Sequence, residues 1–346
     1  SGATAQGGSE RAGMDPFNLL WLQGASCGGC TMAALDRGQH GWFAELQSFG
    51  VHLLWHPSFS EATAAETIAL LEAIEAGQVP LHGLVLEGAV LRGPHGSGRF
   101  QMLSGTGRSM QDWVTRLSPR AGVVVAVGSC AAFGGVATAG GNPTEASGLQ
   151  FLETERGGVL GAAFRSRSGL PVVNIAGCAP HPDWISTTLA ALALGELAAD
   201  DLDAFARPKF FAAHLAHHGC ARNEFYEFKA SAEQLAQRGC LMEHLGCKAT
   251  QAVGDCNQRG WNGGGSCTRG GYPCIACTSP GFEAAHNLLE TAKLAGIPVG
   301  LPLDMPKAWF VALAALSKSA TPPRVRANAT ADHVIVPPSS GAGRRK

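Results

Sequence analysis

Eleven cysteines in a chain of 346 residues limit this protein more than any other feature. They are Cys27, Cys30, Cys130, Cys178, Cys220, Cys240, Cys247, Cys256, Cys267, Cys274 and Cys277, and His217 stands three residues before Cys220. Eleven thiols and one imidazole make three sets of four. An iron–sulfur cube takes four protein ligands, so the simplest reading is three cubes in one chain. Cubes in series conduct electrons. They do not make or break a substrate bond, so no residue is read as catalytic.

A disulfide framework is the first rival. An odd cysteine count fits it poorly. Disulfide scaffolds are also mostly small secreted domains. The chain is 45% hydrophobic and 15% charged, enough apolar material for a substantial core. So few charges, with 46 glycines, suggest a face covered by a partner. A net charge of −1 lacks the basic excess that nucleic acid calls for. The longest apolar stretches, Ile185–Leu197 and Trp309–Leu316, are too short to span a bilayer, and no integral membrane anchor is expected.

In the first half, apolar runs alternate with helical patterns. Strands are expected at Leu19–Leu22, Val51–Trp55, Leu84–Leu86, Val123–Val127 and Val172–Ile175. Helices are expected from Gly24 to about Phe49, at Ala62–Ala76, at Gln111–Leu117 and after Pro182. This alternation predicts an α/β fold with a doubly wound parallel sheet over residues 17–198. Cys27 and Cys30 follow the first strand, Cys130 the fourth and Cys178 the fifth. Ligands of such sheets bind beyond the carboxyl ends of the strands, so these four thiols converge on one crevice. Alone, Cys130 or Cys178 would read as a core cysteine, and Cys27-x-x-Cys30 as a zinc or redox pair. Glu87 ends the third strand at the same crevice, as a proton relay, a partner contact or simply a solvated carboxylate. Asp36, six residues past Cys30, is a candidate substitute ligand or a solvated helix residue.

After Ala198 the texture changes, and a second, irregular, loop-rich domain is expected over 199–321. Its glycine runs, Gly263–Gly265 and Gly270-Gly271, leave no room for long regular elements. A helix is expected at Asn223–Arg238. Ligand order suggests His217, Cys220, Cys240 and Cys247 for one cube, and Cys256, Cys267, Cys274 and Cys277 for another. His217 is preferred over His214, His218 and His244 because it stands in an H-x-x-C setting. A zinc-stabilised binding module is the chemical rival, since Cys274-x-x-Cys277 fits a zinc knuckle. Residues 1–16 and 322–346 read as tails, the second proline-rich and basic.

These motifs together resemble the small, electron-transferring subunit of [NiFe]-hydrogenases. The resemblance rests on Trp21-Leu-Gln-Gly-Ala-Ser-Cys-Gly-Gly-Cys30, Leu86-Glu-Gly88, Gly128-Ser-Cys-Ala-Ala-Phe-Gly-Gly135 and Gly177-Cys-Ala-Pro180. It continues through His217-x-x-Cys220, Cys240-Leu241, Gly246-Cys-Lys248, Trp261-Asn262 and Pro273-Cys-Ile-Ala-Cys277. It implies a flavodoxin-like first domain with a proximal cluster on Cys27, Cys30, Cys130 and Cys178. It implies a distal cluster on His217, Cys220, Cys240 and Cys247, and a medial one involving Cys256, Cys274 and Cys277. A large-subunit partner would carry the Ni–Fe centre and split hydrogen. Electrons would enter at the proximal cluster and leave near His217 for an external acceptor.

The departures from the family pattern also carry expectations. Many relatives have a proline seven residues before Cys274 and a three-iron medial cluster. Cys267 stands there here, which implies three [4Fe-4S] clusters and a lower medial potential. Ser26 replaces a glutamate of many relatives, which weakens a proton route there. The Cys240–Cys247 gap is one residue longer than usual, so the distal loop must bulge. The acidic, aromatic ending after the last cysteine is reduced to Phe282-Glu283. Gly29 and Gly135 stand near the places of extra cysteines in one oxygen-tolerant type. With no twin-arginine signal or membrane helix, a cytoplasmic location is expected, and an oligomer of heterodimers with it. A relay in another iron–sulfur complex, such as the related respiratory machinery, is the nearer alternative.

Overall fold

Five short strands, three of them buried at every position, build a single parallel sheet. The computed structural model describes residues 16–36, 41–261, 264–283, 289–300 and 302–332. Most of the expected N-terminal tail, Asn262, Gly263 and residues 333–346 lie outside these. The strands are β1 (Phe17–Gln23), β2 (Val51–Trp55), β3 (Gly83–Glu87), β4 (Val123–Val127) and β5 (Val173–Ile175). Their order is β5-β4-β3-β1-β2, parallel throughout. This is the flavodoxin-like order, whose switch point falls between β1 and β3. A parallel sheet covered on both faces needs apolar residues at every position, and β4 is Val-Val-Val-Ala-Val.

Successive side chains of a strand point to opposite faces, and β1 divides accordingly. Leu20 and Leu22 join one core with Leu71, Ile74 and Trp113. Leu19 and Trp21 join the other with Trp42, Trp184 and Leu189. The helices supplying these side chains are α2 (Trp42–Ser48), α3 (Ala64–Glu75), α4 (Met110–Leu117) and α6 (Pro182–Ala193). Two shorter helices begin at cysteine motifs, α1 (Gly29–Leu35) after β1 and α5 (Ser129–Phe133) after β4. The single helix expected from Gly24 to Phe49 is thus two, with residues 37–40 between them outside the described set.

The second half has little core of its own. Its helices α7 (Lys209–Ala212), α8 (Asn223–Glu227) and α9 (Cys256–Arg259) are about one turn long. Its buried cluster is built largely from alanines, with Tyr226, Leu241, Met242, Cys247 and Phe310. The helix expected over Asn223–Arg238 stops at Glu227, because Lys229 and Ala236 turn the chain at φ 51° and 69°. Two longer helices close the described chain, α10 (Lys307–Ala320) and α11 (Pro323–Ala329). The basic end expected as a tail from 322 is therefore helical at first. Pro323 suits a first turn, and Val325 and Ala329 are buried against Ala230.

Polar side chains brace the second half and weld it to the first. Within the second half, Arg207, paired with Asp203 at 2.7 Å, donates to the carbonyl of Thr278. Between the halves, Trp184 Nε1 donates to Asp255 Oδ1 at 2.7 Å, and Ser129 Oγ to the carbonyl of Cys277 at 2.5 Å.

Glu87 holds the loop between β1 and α1. Its side chain has no exposed surface. Oε1 accepts from Ser26 Oγ and from the backbone N–H groups of Cys30 and Thr31, at 2.9, 3.1 and 3.3 Å. Oε2 accepts from Trp21 Nε1, Gln23 Nε2 and Thr31 Oγ1. Burial pushes its pKa up, but these hydrogen bonds outweigh burial and hold it below the usual carboxylate range. The expected partner contact is corrected: a carboxylate so enclosed has no surface to offer one. Glu87→Gln puts an amide NH₂ where one oxygen took three donors, and each orphaned buried donor costs roughly 1–3 kcal/mol. We predict a loss of about 3 kcal/mol, read as a lower thermal unfolding midpoint of the purified complex; an unchanged midpoint would rule this role out.

Candidate metal centres

The proximal thiols sit where the sheet presents them. Cys27 precedes α1 and Cys30 is its second residue, Cys130 is the second residue of α5, and Cys178 follows β5. Burial pushes the Cys30 thiol well above its ordinary pKa, and Glu87, Cys130, Cys27 and Cys178 push it further. Cys178 is raised by burial, then by Cys130, Cys27 and Glu283. All four thiols therefore share one field. The backbone around them is cut close. A Cβ on Gly128 (φ +88°) would lie 2.5 Å from Cys30 Sγ, and one on Gly135 (φ +53°) 2.9 Å from Cys130 Sγ. Glycine serves both needs, positive φ and close approach. Cys130 Sγ accepts the N–H groups of Val136 and Ala137. Asp36 lies exposed at the end of α1, about 9 Å along the axis from Cys30, which argues against its replacing a thiolate.

The medial set is Cys256, at the start of α9, with Cys267, Cys274 and Cys277. Burial raises Cys256 to about 11, with Cys267 adding to it. Burial raises Cys277 to about 12, with Cys256 and Cys267 adding. Cys274 is raised by burial, then by Cys247, Cys277 and Cys256. Cys267 thus stands within electrostatic reach of Cys256 and Cys277.

The distal set lines a small, largely apolar pocket whose wall includes His217, Cys220, Arg222, Cys240 and Cys247. Burial raises Cys240 to about 12 and Cys247 to about 11, each also acted on by Cys220. His217 Nδ1 is buried and has no hydrogen-bond partner among the described residues. An orphaned imidazole nitrogen among three thiols fits a ligand atom. His214, His218 and His244 are exposed. Arg222 was not anticipated from the sequence. It is buried, holding the carbonyls of Thr268, Gln237 and Gly239 at 2.9, 2.6 and 2.7 Å. Burial lowers its pKa, and Cys220, Cys240 and Cys247 oppose the fall. A buried guanidinium is stable beside anionic sulfur.

All eleven cysteines are unbridged. Backbone N–H groups donate to several sulfurs: Arg222 to Cys220, Met242 to Cys240, and Ala249 to Cys247. Such bonds favour thiolate over thiol and tune bound clusters. A lone zinc ion, with Zn–S bonds of about 2.3 Å, would draw four sulfurs to about 3.8 Å of one another. Among the described residues, the one group of His, Cys, Asp or Glu with ligand atoms within 4.8 Å of one another is His217, His218 and Asp304. The thiol quartets are more open than a single ion requires and suit a larger group.

Comparison with known proteins agrees with this geometry. Residues 213–290 match the family model for the C-terminal part of the NiFe/NiFeSe hydrogenase small subunit. Residues 27–192 match that of the NADH ubiquinone oxidoreductase 20 Kd subunit. The F420 non-reducing hydrogenase II small subunit of Methanosarcina mazei is 33% identical over 308 residues, covering 83% of this chain and 78% of that one. The periplasmic [NiFeSe] hydrogenase small subunit of Desulfomicrobium baculatum is 29% identical, covering 80% and 87%. Among solved structures, the actinobacterial-type NiFe-hydrogenase from Ralstonia eutropha superposes with a TM-score of 0.70 at 27% identity, covering 89% of this chain and 90% of that one. The [NiFeSe] hydrogenase from Desulfovibrio vulgaris Hildenborough gives 0.68 at 28%, covering 81% and 99%. With its thiols gathered beyond the sheet and through the second half, this chain belongs to the family of [NiFe]-hydrogenase small subunits.

Proposed function

We propose that this chain is the electron relay of a hydrogen-oxidising heterodimer and holds three [4Fe-4S] clusters. Cys27, Cys30, Cys130 and Cys178 would hold the proximal one. Cys256, Cys267, Cys274 and Cys277 would hold the medial one, and His217, Cys220, Cys240 and Cys247 the distal one. When bound, such clusters supply one-electron redox steps at potentials set by cluster type, charge, hydrogen bonds to sulfur and exposure.

One observation carries the reading. The quartets are linked in series. The carbonyl of Cys277, a medial residue, accepts from the hydroxyl of Ser129, next to the proximal Cys130, at 2.5 Å. The N–H of Cys274, a medial residue, donates to the distal sulfur of Cys247 at 3.3 Å. Peptide groups of the medial ligands therefore reach both neighbouring sites.

The large subunit would seat on the proximal rim. Cys27 and Cys178 are exposed there. Met32, two residues past Cys30, is 67% exposed, and Val136, six past Cys130, is 56% exposed. Apolar side chains this bare beside a redox site fit a covered surface. A proton-relay role for Glu87 would run through the exposed hydroxyl of Ser26, 2.9 Å away. No helix among the described residues is long and apolar enough to cross a membrane. A cytoplasmic place of action is part of the proposal. An external acceptor and an assembly of several heterodimers complete the proposal.

Cys267→Pro should leave the medial site with three thiolates. A three-iron EPR signal should appear in the oxidised heterodimer, with a raised medial potential. A three-iron signal already present in the unaltered protein would overturn the four-iron assignment. Met32→Arg combined with Val136→Arg should cut the yield of co-purified large subunit at least tenfold, a cost of about 2 kcal/mol or more at an interface centre. Wild-type yield would move the docking face elsewhere.

A further inference from the structure

Asp304 lies in the loop before α10, outside the matched family region 213–290. Its Oδ2 is 3.0 Å from His217 Nε2 and 3.1 Å from His218 Nε2. These lengths suit N–H···O hydrogen bonds.

An ionised carboxylate only accepts hydrogen bonds, so Nε2 of His217 must carry the proton. In a neutral imidazole the lone pair then sits on Nδ1. That is the buried nitrogen left without a partner at the distal cavity. One carboxylate thus decides which face of the ring can bind.

The backbone fixes this pairing from both sides. The N–H of His217 donates to the carbonyl of Ala249 at 3.1 Å. The N–H of Leu303, beside Asp304, donates to the carbonyl of Thr250 at 3.2 Å. Imidazole and carboxylate hang from adjacent residues of one loop, 87 positions apart in sequence. Ala249 also donates its N–H to Cys247 Sγ, so the loop carries a distal thiol as well. On the far side, Met305 and the buried Phe310 anchor the carboxylate's loop in the third core.

We propose that Asp304 is the positioning residue of the distal site: it holds His217 in the Nε2–H tautomer and presents Nδ1 to the space among Cys220, Cys240 and Cys247. The proposal rests on the distal ligand set given above. Ligating histidines commonly donate their other N–H to a carboxylate, which orients the ring and raises its basicity. The negative charge of Asp304 also disfavours adding an electron nearby, so it lowers the distal potential.

The test uses the intact heterodimer, labelled with ¹⁵N-histidine and reduced stepwise. The unaltered protein should show imidazole nitrogen hyperfine coupling on one cluster. Asp304→Asn, which keeps the shape, should weaken or scatter that coupling. It should raise the distal midpoint by a tenfold change in the reduction equilibrium, about 59 mV for one electron. It should also speed iron loss to a chelator roughly tenfold to a hundredfold. Asp304→Glu should recover part of each effect, and His218→Ala should keep the coupling. If Asp304→Asn leaves coupling, potential and iron retention unchanged, the positioning role is overturned while the distal set stands. If the unaltered protein shows no imidazole coupling, or His218→Ala abolishes it, the His217 assignment falls and the proposal with it.

Discussion

The second half of this protein has little apolar core of its own and carries seven cysteines instead. Half of its buried cluster is alanine, and its helices α7 to α9 are single turns. Thiols raised to about 11 or 12 by burial are costly to ionise in the bare chain. Bound metal reverses this, because it needs the deprotonated form and returns binding energy as folding energy. Cluster loading and the structure of this half are therefore one equilibrium.

The first half works the other way. Its sheet is stable by its two apolar cores and offers a rigid edge on which thiols are placed. Glu87 shows how finely that edge is set. A single buried carboxylate gathers donors from β1, from the following loop and from the first turn of α1. The distal site repeats the device with opposite parts. Buried Arg222 supplies positive charge and three carbonyl contacts, and Asp304 steers His217. In each case a charged group one layer behind the ligands determines how they stand.

Much of this was legible in the sequence wherever the physics is local. The strands Val51–Trp55 and Val123–Val127 stand as read, the second an apolar run buried at every position. Cysteines directly after strands had to share the sheet's carboxyl edge. His217-x-x-Cys220 singled out an imidazole whose Nδ1 is buried without a partner among the described residues, while His214, His218 and His244 are exposed. What escaped was long-range or turned on one backbone angle. Asn223–Arg238 has helical composition but breaks where Lys229 adopts φ 51°. The basic residues after Pro322 suggested a tail, yet Val325 and Ala329 have a pocket to fill beside Ala230. Asp304 carried no signal at all, because its partner lies 87 residues away. Glu87 was placed at the crevice but not assigned its six donors, since those arise only when β1 and β3 pair in register.

Function follows only if the three quartets, linked in series, each enclose an iron–sulfur cube. The decisive observation is a crystal of the heterodimer with anomalous maps recorded at the iron and zinc edges. Three separate four-atom iron peaks should appear, bounded by the proximal, medial and distal ligands named above. Single zinc peaks at any quartet, or thiols without metal, would refute the relay.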